Sequence, residues 1–300
     1  VVEYRLKPDL SVDYADLATK LDDRSLAVIG VHFFGIPMDY SQLREACDAV
    51  GSRLIEDAAH VHWDASIGDS SIGQYGDWLF ASLRKFSGDY DGALALASND
   101  PSVPEMVEHP TRSLGKELRG VKFALQLKAP AELDFARLRG EQSTDQTTHF
   151  ANSQSPVNGD EGDYIDQRFS LSSHSAMTLA SRIALRIRLR GHSAPKRREH
   201  YNENCELLES TLGVTPLYRN LEADTVPYVV PMLFDAGDRA YYSVRASGVE
   251  ALRWEGLSGS DCDVARRYEK SLVQLPCHEQ LSEQQITYMI QAVEQAARAQ

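Results

Sequence analysis

The 300-residue sequence predicts an α/β fold, a large domain built on a mostly parallel sheet with helices on both faces, followed by a small C-terminal α+β domain. Three observations predict it. The first hundred residues alternate strand-like and helix-like stretches, the rhythm of parallel βα units. Several of the strand-like stretches are short apolar runs bounded by turn residues, as strands in a covered sheet are. Beyond about residue 200 the pattern changes to short strands and helices in mixed order, which places the domain boundary between 1–195 and 196–300.

Taken in order, "DYADLATKLDD" (13–23) sets Leu17 and Leu21 four apart behind an acidic start, an amphipathic helix. "LAVIGVHFFG" is a continuous apolar run ending at Gly35, which reads as a strand buried on both faces. "MDYSQLREACDAVG" (38–51) is helical, with Leu43, Ala46, Cys47 and Val50 on one face and Gly51 as its C-cap. "SRLIEDAA", "GDWLFASL" (76–83) and "GALALAS" (92–98) are strands. Residues 140–163 are polar and acidic, a long loop of the kind that carries function or motion. The chain is helical from 172 to 212, with Pro195 opening a new helix after the break at "GHSAP". Then "TVPYVVPMLFD" is a strand, "DRAYYSVRASG" a helix, "VEALRW" a strand and "DCDVARRYEKSL" a helix. The terminal amphipathic helix opens on Ser282 with Gln285 three residues on, a capping box.

Composition removes several functions. The formal net charge of −13 argues against a nucleic-acid surface, which needs clustered Lys and Arg. The longest apolar runs fall short of the roughly 18–20 residues of a spanning helix, so no membrane partner is expected. Cys47, Cys205, Cys262 and Cys277 lack metal-knuckle or disulfide spacing, which fits a reducing cytoplasm. One basic run, 182–200, reads first as a solvated helix face pairing with acidic neighbours and second as a docking surface for a phosphorylated ligand. The chain starts without Met, already in a strand and turn, and is read as a fragment.

Two elements carry chemistry. "LIEDAAHVHW" puts Glu56 and Asp57 at the end of a strand, followed by His60 and His62, and carboxyl ends of parallel strands are where open α/β sheets hold ligands. Either acid could instead cap the next helix or stay solvated. His32, His60 and His62 also offer a metal set, weighed below the reading of the His60/His62 pair as packing. In "FASLRKFSGDYDGAL" (80–94), Ser82 ends a strand and Lys85 follows in a loop beside Arg84. A hydroxyl with backbone N–H groups at a strand end can hold phosphate. A lysine desolvated beside another cation has a lowered pKa and can attack a carbonyl as the free amine. An acid at one strand end with Ser-x-x-Lys at another is the donor set a pyridoxal 5'-phosphate site requires. The acid keeps the pyridine nitrogen protonated, the serine binds the phosphate and the lysine forms the Schiff base. Each pKa unit by which the acid raises the ring nitrogen is worth about 1.4 kcal/mol.

With "VHFFGIPMDYSQL", "GSRLIEDAAHVHWDA", "IGQYGDWLFAS", "DGALAL" and "LPCHEQLSEQQITYMI", the chain resembles the DegT/DnrJ/EryC1/StrS family of fold-type I sugar aminotransferases. The resemblance implies transamination of a nucleotide-linked keto sugar, with glutamate or glutamine as amino donor, in polysaccharide or secondary-metabolite sugar biosynthesis. It also implies a homodimer with its sites at the interface. Asp57 stands where the family has the acid on the pyridine nitrogen, His60 near the cofactor's phenolic oxygen, Ser82 at the phosphate. The family's lysine lies five residues after its serine, where this chain has Ser87. Measured back from the Asp91-Gly92 turn, however, Lys85 takes the lysine's place. The resemblance further implies that an N-terminal part, including a Gly-Ser/Thr phosphate turn and a stacking aromatic, is lacking here. Two other readings remain: a dehydratase-like relative without the lysine, and a non-catalytic binding or assembly partner.

Overall fold

The computed structural model describes residues 1–62, 72–87, 91–98, 112–126, 176–188, 193–223, 225–254, 256–257 and 259–298. The acidic stretch 140–163 and the start of the helix expected from 172 lie outside them. The chain divides into two compact units, one of 1–88, 93–105 and 187–300, the other of 89–92 and 106–186.

In the first unit, strands β1 (Ala27–Val31), β2 (Arg53–Asp57), β3 (Trp78–Ala81) and β4 (Leu94–Ala97) form one sheet in sequence order. β1–β2 and β2–β3 are parallel, and β4 returns antiparallel to β3. β1 lies at the sheet edge and alternates, with Val28 buried and Ile29 49% exposed, so it is not the strand buried on both faces that its apolar run suggests. The helix expected over 13–23 is a single turn, α1 (Tyr14–Leu17), started by Asp13, whose side chain accepts the Ala15 and Asp16 N–H groups. Helix α2 (Ser41–Val50) ends as expected at Gly51, whose φ of 74° is left-handed. It presses Leu43 and Cys47 onto Val28 and Leu54. Asp77, nearly buried, ties the helix to the strands: its carboxylate accepts from Arg44 at 2.9 Å, Arg53 at 2.8 Å and the Leu54 N–H at 2.7 Å.

The C-terminal part of this unit is an antiparallel sheet, β5 (Val214–Pro216), β6 (Val229–Phe234) and β7 (Leu272–Pro276), with β6 central. Around it lie α6 (Ser193–Leu207), α7 (Asp238–Ala246), α8 (Asp263–Ser271) and α9 (Glu283–Arg298). Ile286, Met289, Ile290 and Val293 of α9 join Val230, Met232 and Leu275 in the largest core. The capping box forms in both directions: Ser282 N–H donates to Gln285 Oε1 at 2.8 Å, and Gln285 N–H to Ser282 Oγ at 3.3 Å. The strand expected over 249–254 reduces to one bridge, Leu252 with Gln274, because a tight turn from Val249 to Ala251 precedes it.

The second unit contains α4 (Leu114–Gln126) and most of α5 (Leu179–Arg188). Asp91 organises it, accepting from Thr178 Oγ1 at 3.0 Å and pairing with Lys116 at 2.9 Å, while Glu117 accepts the Leu179 N–H at 2.8 Å at the start of α5.

Candidate active site

The pleat of β2 decides between its two acids, because successive side chains of a strand point to opposite faces. Glu56 is fully buried and Asp57 half-buried. Glu56 Oε2 accepts from His32 Nε2 at 2.9 Å and the Gly73 N–H at 2.6 Å; Oε1 accepts from the Tyr75 and Gly76 N–H groups at 3.0 and 2.5 Å. His32 Nδ1 accepts the Met38 N–H at 3.0 Å, so its proton sits on Nε2. Burial pushes the Glu56 carboxyl up, but His32 and the backbone donors outweigh it and hold the group below its ordinary value. Glu56 is thus a structural anchor for the 72–76 segment, neither a helix cap nor solvated.

Asp57 ends β2 opposite Phe80 of β3, with Oδ1 accepting the Ala59 N–H at 2.8 Å. Ser82 follows β3 directly, half-buried, and its carbonyl accepts the Lys85 N–H at 3.3 Å. That bond starts α3 (Arg84–Ser87), so Lys85 lies in a one-turn helix where a loop was expected. The turn sends Phe86 and Ser87 into the interior and leaves Lys85 at the surface. Position 87, at the family's serine-to-lysine offset, is therefore a buried serine. Asp57, Ser82 and Lys85 stand together at the carboxyl ends of two paired parallel strands.

Lys85 does not stand in open water. Its Nζ lies 5.9 Å over the Tyr228 ring. Desolvation lowers its pKa, Asp57 opposes this and Arg84 adds to it. His60 stacks on the same Tyr228 ring at 4.6 Å and 15°. Burial, with Lys85 adding, lowers the pKa of His60 to about 4, so its ring is neutral at physiological pH. Phe86 meets Tyr228 edge-on at 5.3 Å. His62 is fully buried, bonded to Ser193 Oγ at 2.9 Å and edge-on to Phe86 at 4.9 Å. The three histidines thus serve three separate sets of partners.

Tyr228 escaped the sequence reading, since it lies in an apolar run read only as a strand. It is fixed by its backbone: its N–H donates to the Phe34 carbonyl at 2.8 Å, and its carbonyl accepts from Arg197 at 3.4 Å. Phe34 is held at φ 60°, stacked on Trp254 at 5.2 Å, and Gly35 at φ 82°. A Cβ on Gly35 would meet the carbonyl oxygens of His60 and Val226 at 2.6 and 2.7 Å, so only glycine lets the three segments converge. The basic run divides. Arg197 is buried, paired with Glu279 at 2.9 Å and stacked on Phe86, while Arg198 donates to the Glu222 and Thr225 carbonyls. Arg182 and Arg186 are exposed.

Comparison with known proteins finds the DegT/DnrJ/EryC1/StrS aminotransferase family over residues 6–85. GDP-perosamine synthase of Vibrio cholerae is 35% identical over 95 residues, a match spanning 30% of this chain and only a quarter of that protein. Many solved structures share the fold, aminotransferases among them. The aminotransferase TlmJ of Streptoalloteichus hindustanus has a TM-score of 0.66 at 20% identity, over 99% of this chain and 73% of its own. PseC of Helicobacter pylori, an aminotransferase involved in the biosynthesis of pseudoaminic acid, has 0.66 at 13%, over 100% and 74%. The fold is that of the fold-type I aminotransferases.

Proposed function

We propose, from the match of residues 6–85 to the DegT/DnrJ/EryC1/StrS aminotransferase family, that the protein is a pyridoxal phosphate-dependent aminotransferase. Its substrate is a nucleotide-linked keto sugar, its amino donor glutamate or glutamine, and its working form a cytoplasmic homodimer. The observation that carries the reading is the placing of Asp57, Ser82 and Lys85 at the adjacent carboxyl ends of β2 and β3. Four buried free thiols suit a reducing compartment. No described helix is long and apolar enough to cross a membrane.

The donor set suits the cofactor. Asp57 is the anion that would hold a proton on the pyridine nitrogen, and the Ser82 hydroxyl would take the phosphate. Lys85, its pKa lowered by desolvation, would hold the aldehyde carbon through its free amine. When bound, the cofactor would supply a ring that takes up the electron pair released as the amino donor's Cα–H bond breaks. The Lys85 amine, once displaced from the aldehyde carbon by the donor's own amine, would take that proton and return it. The neutral His60 ring, stacked on Tyr228, would line the site beside Lys85.

The test uses recombinant protein from the full reading frame. Borohydride should fix added pyridoxal phosphate to the peptide containing Lys85, and Lys85→Ala should lose both the fixation and the visible absorption. Glutamate or glutamine should then discharge the absorption of the wild type. Fixation to another lysine would remove the assignment, and a band that both glutamate and glutamine leave untouched would make the protein a binding relative.

A further inference from the structure

Tyr228 is far from the other site residues in sequence, yet His60, Phe86 and Lys85 all meet its ring. His60 lies parallel to it at 4.6 Å, Phe86 edge-on at 5.3 Å, and the Lys85 ammonium 5.9 Å from its centroid. Its backbone is clamped on both sides, by the Phe34 carbonyl and by buried Arg197, and a Cβ added at Gly35 would lie 3.2 Å from its nitrogen. A ring fixed by main-chain bonds makes a firm plate, whereas a lysine on a one-turn helix has no rigid element of its own.

We propose that Tyr228 is a positioning residue for the Lys85 amine, holding it through the ring face and seating His60 beside it. This rests on the reading of Lys85 as the reactive amine. The attraction between an ammonium and an aromatic face reaches to about 6 Å. It stabilises the charged amine and so opposes desolvation. Among the described residues, the other charged or titratable groups that act on Lys85 are Asp57 from the end of β2, His60 after it, and Arg84 on α3. Arg84 and Arg197 both act on Tyr228 itself. The ring face, more than the hydroxyl, does the holding, so phenylalanine should substitute for tyrosine and an aliphatic residue of similar bulk should not.

The test is made on the protein without cofactor. The rate at which an amine reagent labels Lys85 is followed against pH by peptide mass spectrometry in wild type, Tyr228→Phe and Tyr228→Leu, with Tyr228→Met as a second aliphatic variant should the leucine protein fail to fold. The wild-type and phenylalanine profiles should coincide, and the aliphatic profile should move down by about half a pH unit. An aliphatic profile that overlays the wild type, or a phenylalanine profile that moves with it, overturns the proposal. Lys85→Ala separates the two levels. If that variant still fixes pyridoxal phosphate as the wild type does, the amine assignment fails and the positioning role with it. If fixation is lost but the Tyr228→Leu profile does not move, the positioning role alone fails.

Discussion

Glu56→Gln changes one atom in a fully buried side chain and should cost a large share of the stability of the first unit. The carboxylate has two oxygens, each facing two donors, His32 Nε2 with the Gly73 N–H and the Tyr75 with the Gly76 N–H. Whichever way a glutamine amide is turned, its NH2 meets a pair of donors. His32 cannot absorb the conflict by changing tautomer, because its Nδ1 already accepts the Met38 N–H. Two charge-assisted hydrogen bonds are lost, each worth about 1.5–3 kcal/mol, so the variant should be about 3–6 kcal/mol less stable. Domains of this kind are stable by only about 5–15 kcal/mol. Urea unfolding followed by the emission of Trp78 and Trp254 measures the difference. The same residue sets an acid limb. Its folded pKa lies below the ordinary value of 4.5, so its stabilisation is present above about 4.5 and lost as pH falls through the folded value. The variant should lack that limb. A loss under about 1 kcal/mol, or an unchanged acid limb, would refute the argument.

Two further predictions concern neighbouring residues. Gly35→Ala should destabilise by about 3 kcal/mol or more, from the left-handed backbone and contacts of 2.6 and 2.7 Å with two carbonyl oxygens. Gly51→Ala, with φ 74° but nothing within 4 Å, should cost only about 1–2 kcal/mol, and equal losses in parallel urea titrations would sink the crowding argument. Burial, with Arg197 adding, pushes the His62 pKa down to about 3 from an ordinary 6.5. The folded state then binds fewer protons than the unfolded chain between those values, so stability is full above 6.5 and falls as pH drops, with a slope approaching 1.4 kcal/mol per unit. His62→Gln should flatten that slope between pH 4.5 and 6.5, and superimposable slopes would count against it.

Most elements were legible because their signals are local. Apolar runs bounded by turn residues mark β1 to β3, Gly51 and the Ser282–Gln285 pair mark helix ends, and all of these form. What was not legible depends on partners distant in sequence. The antiparallel direction of β4 is set by its pairing with β3 and leaves no trace in "GALALAS". The segment 249–254 has a strand's composition, but its tight turn leaves one bridged residue. That Asp57, Ser82 and Lys85 lie at neighbouring strand ends could be read because β2 and β3, which set their places, are marked by local signals. Arg197 lay in a run read as solvated or ligand-docking, and its burial follows from Glu279 and Phe86, which the run itself does not contain. Tyr228 gave no signal, since an aromatic in an apolar strand looks like any core residue.

The convergence of Phe34, Gly35, His60 and Tyr228 also has a consequence for biosynthesis. The segment around Lys85 up to Ser87 leaves the ribosome before the ring beneath the lysine, which stands immediately ahead of β6. At about 5–20 residues per second, roughly 7–30 s separate the two. During that interval the nascent chain presents an amine without its plate and a glycine turn without its cover. The surroundings of Lys85 are therefore completed only when the segment just before β6, which carries Tyr228, arrives.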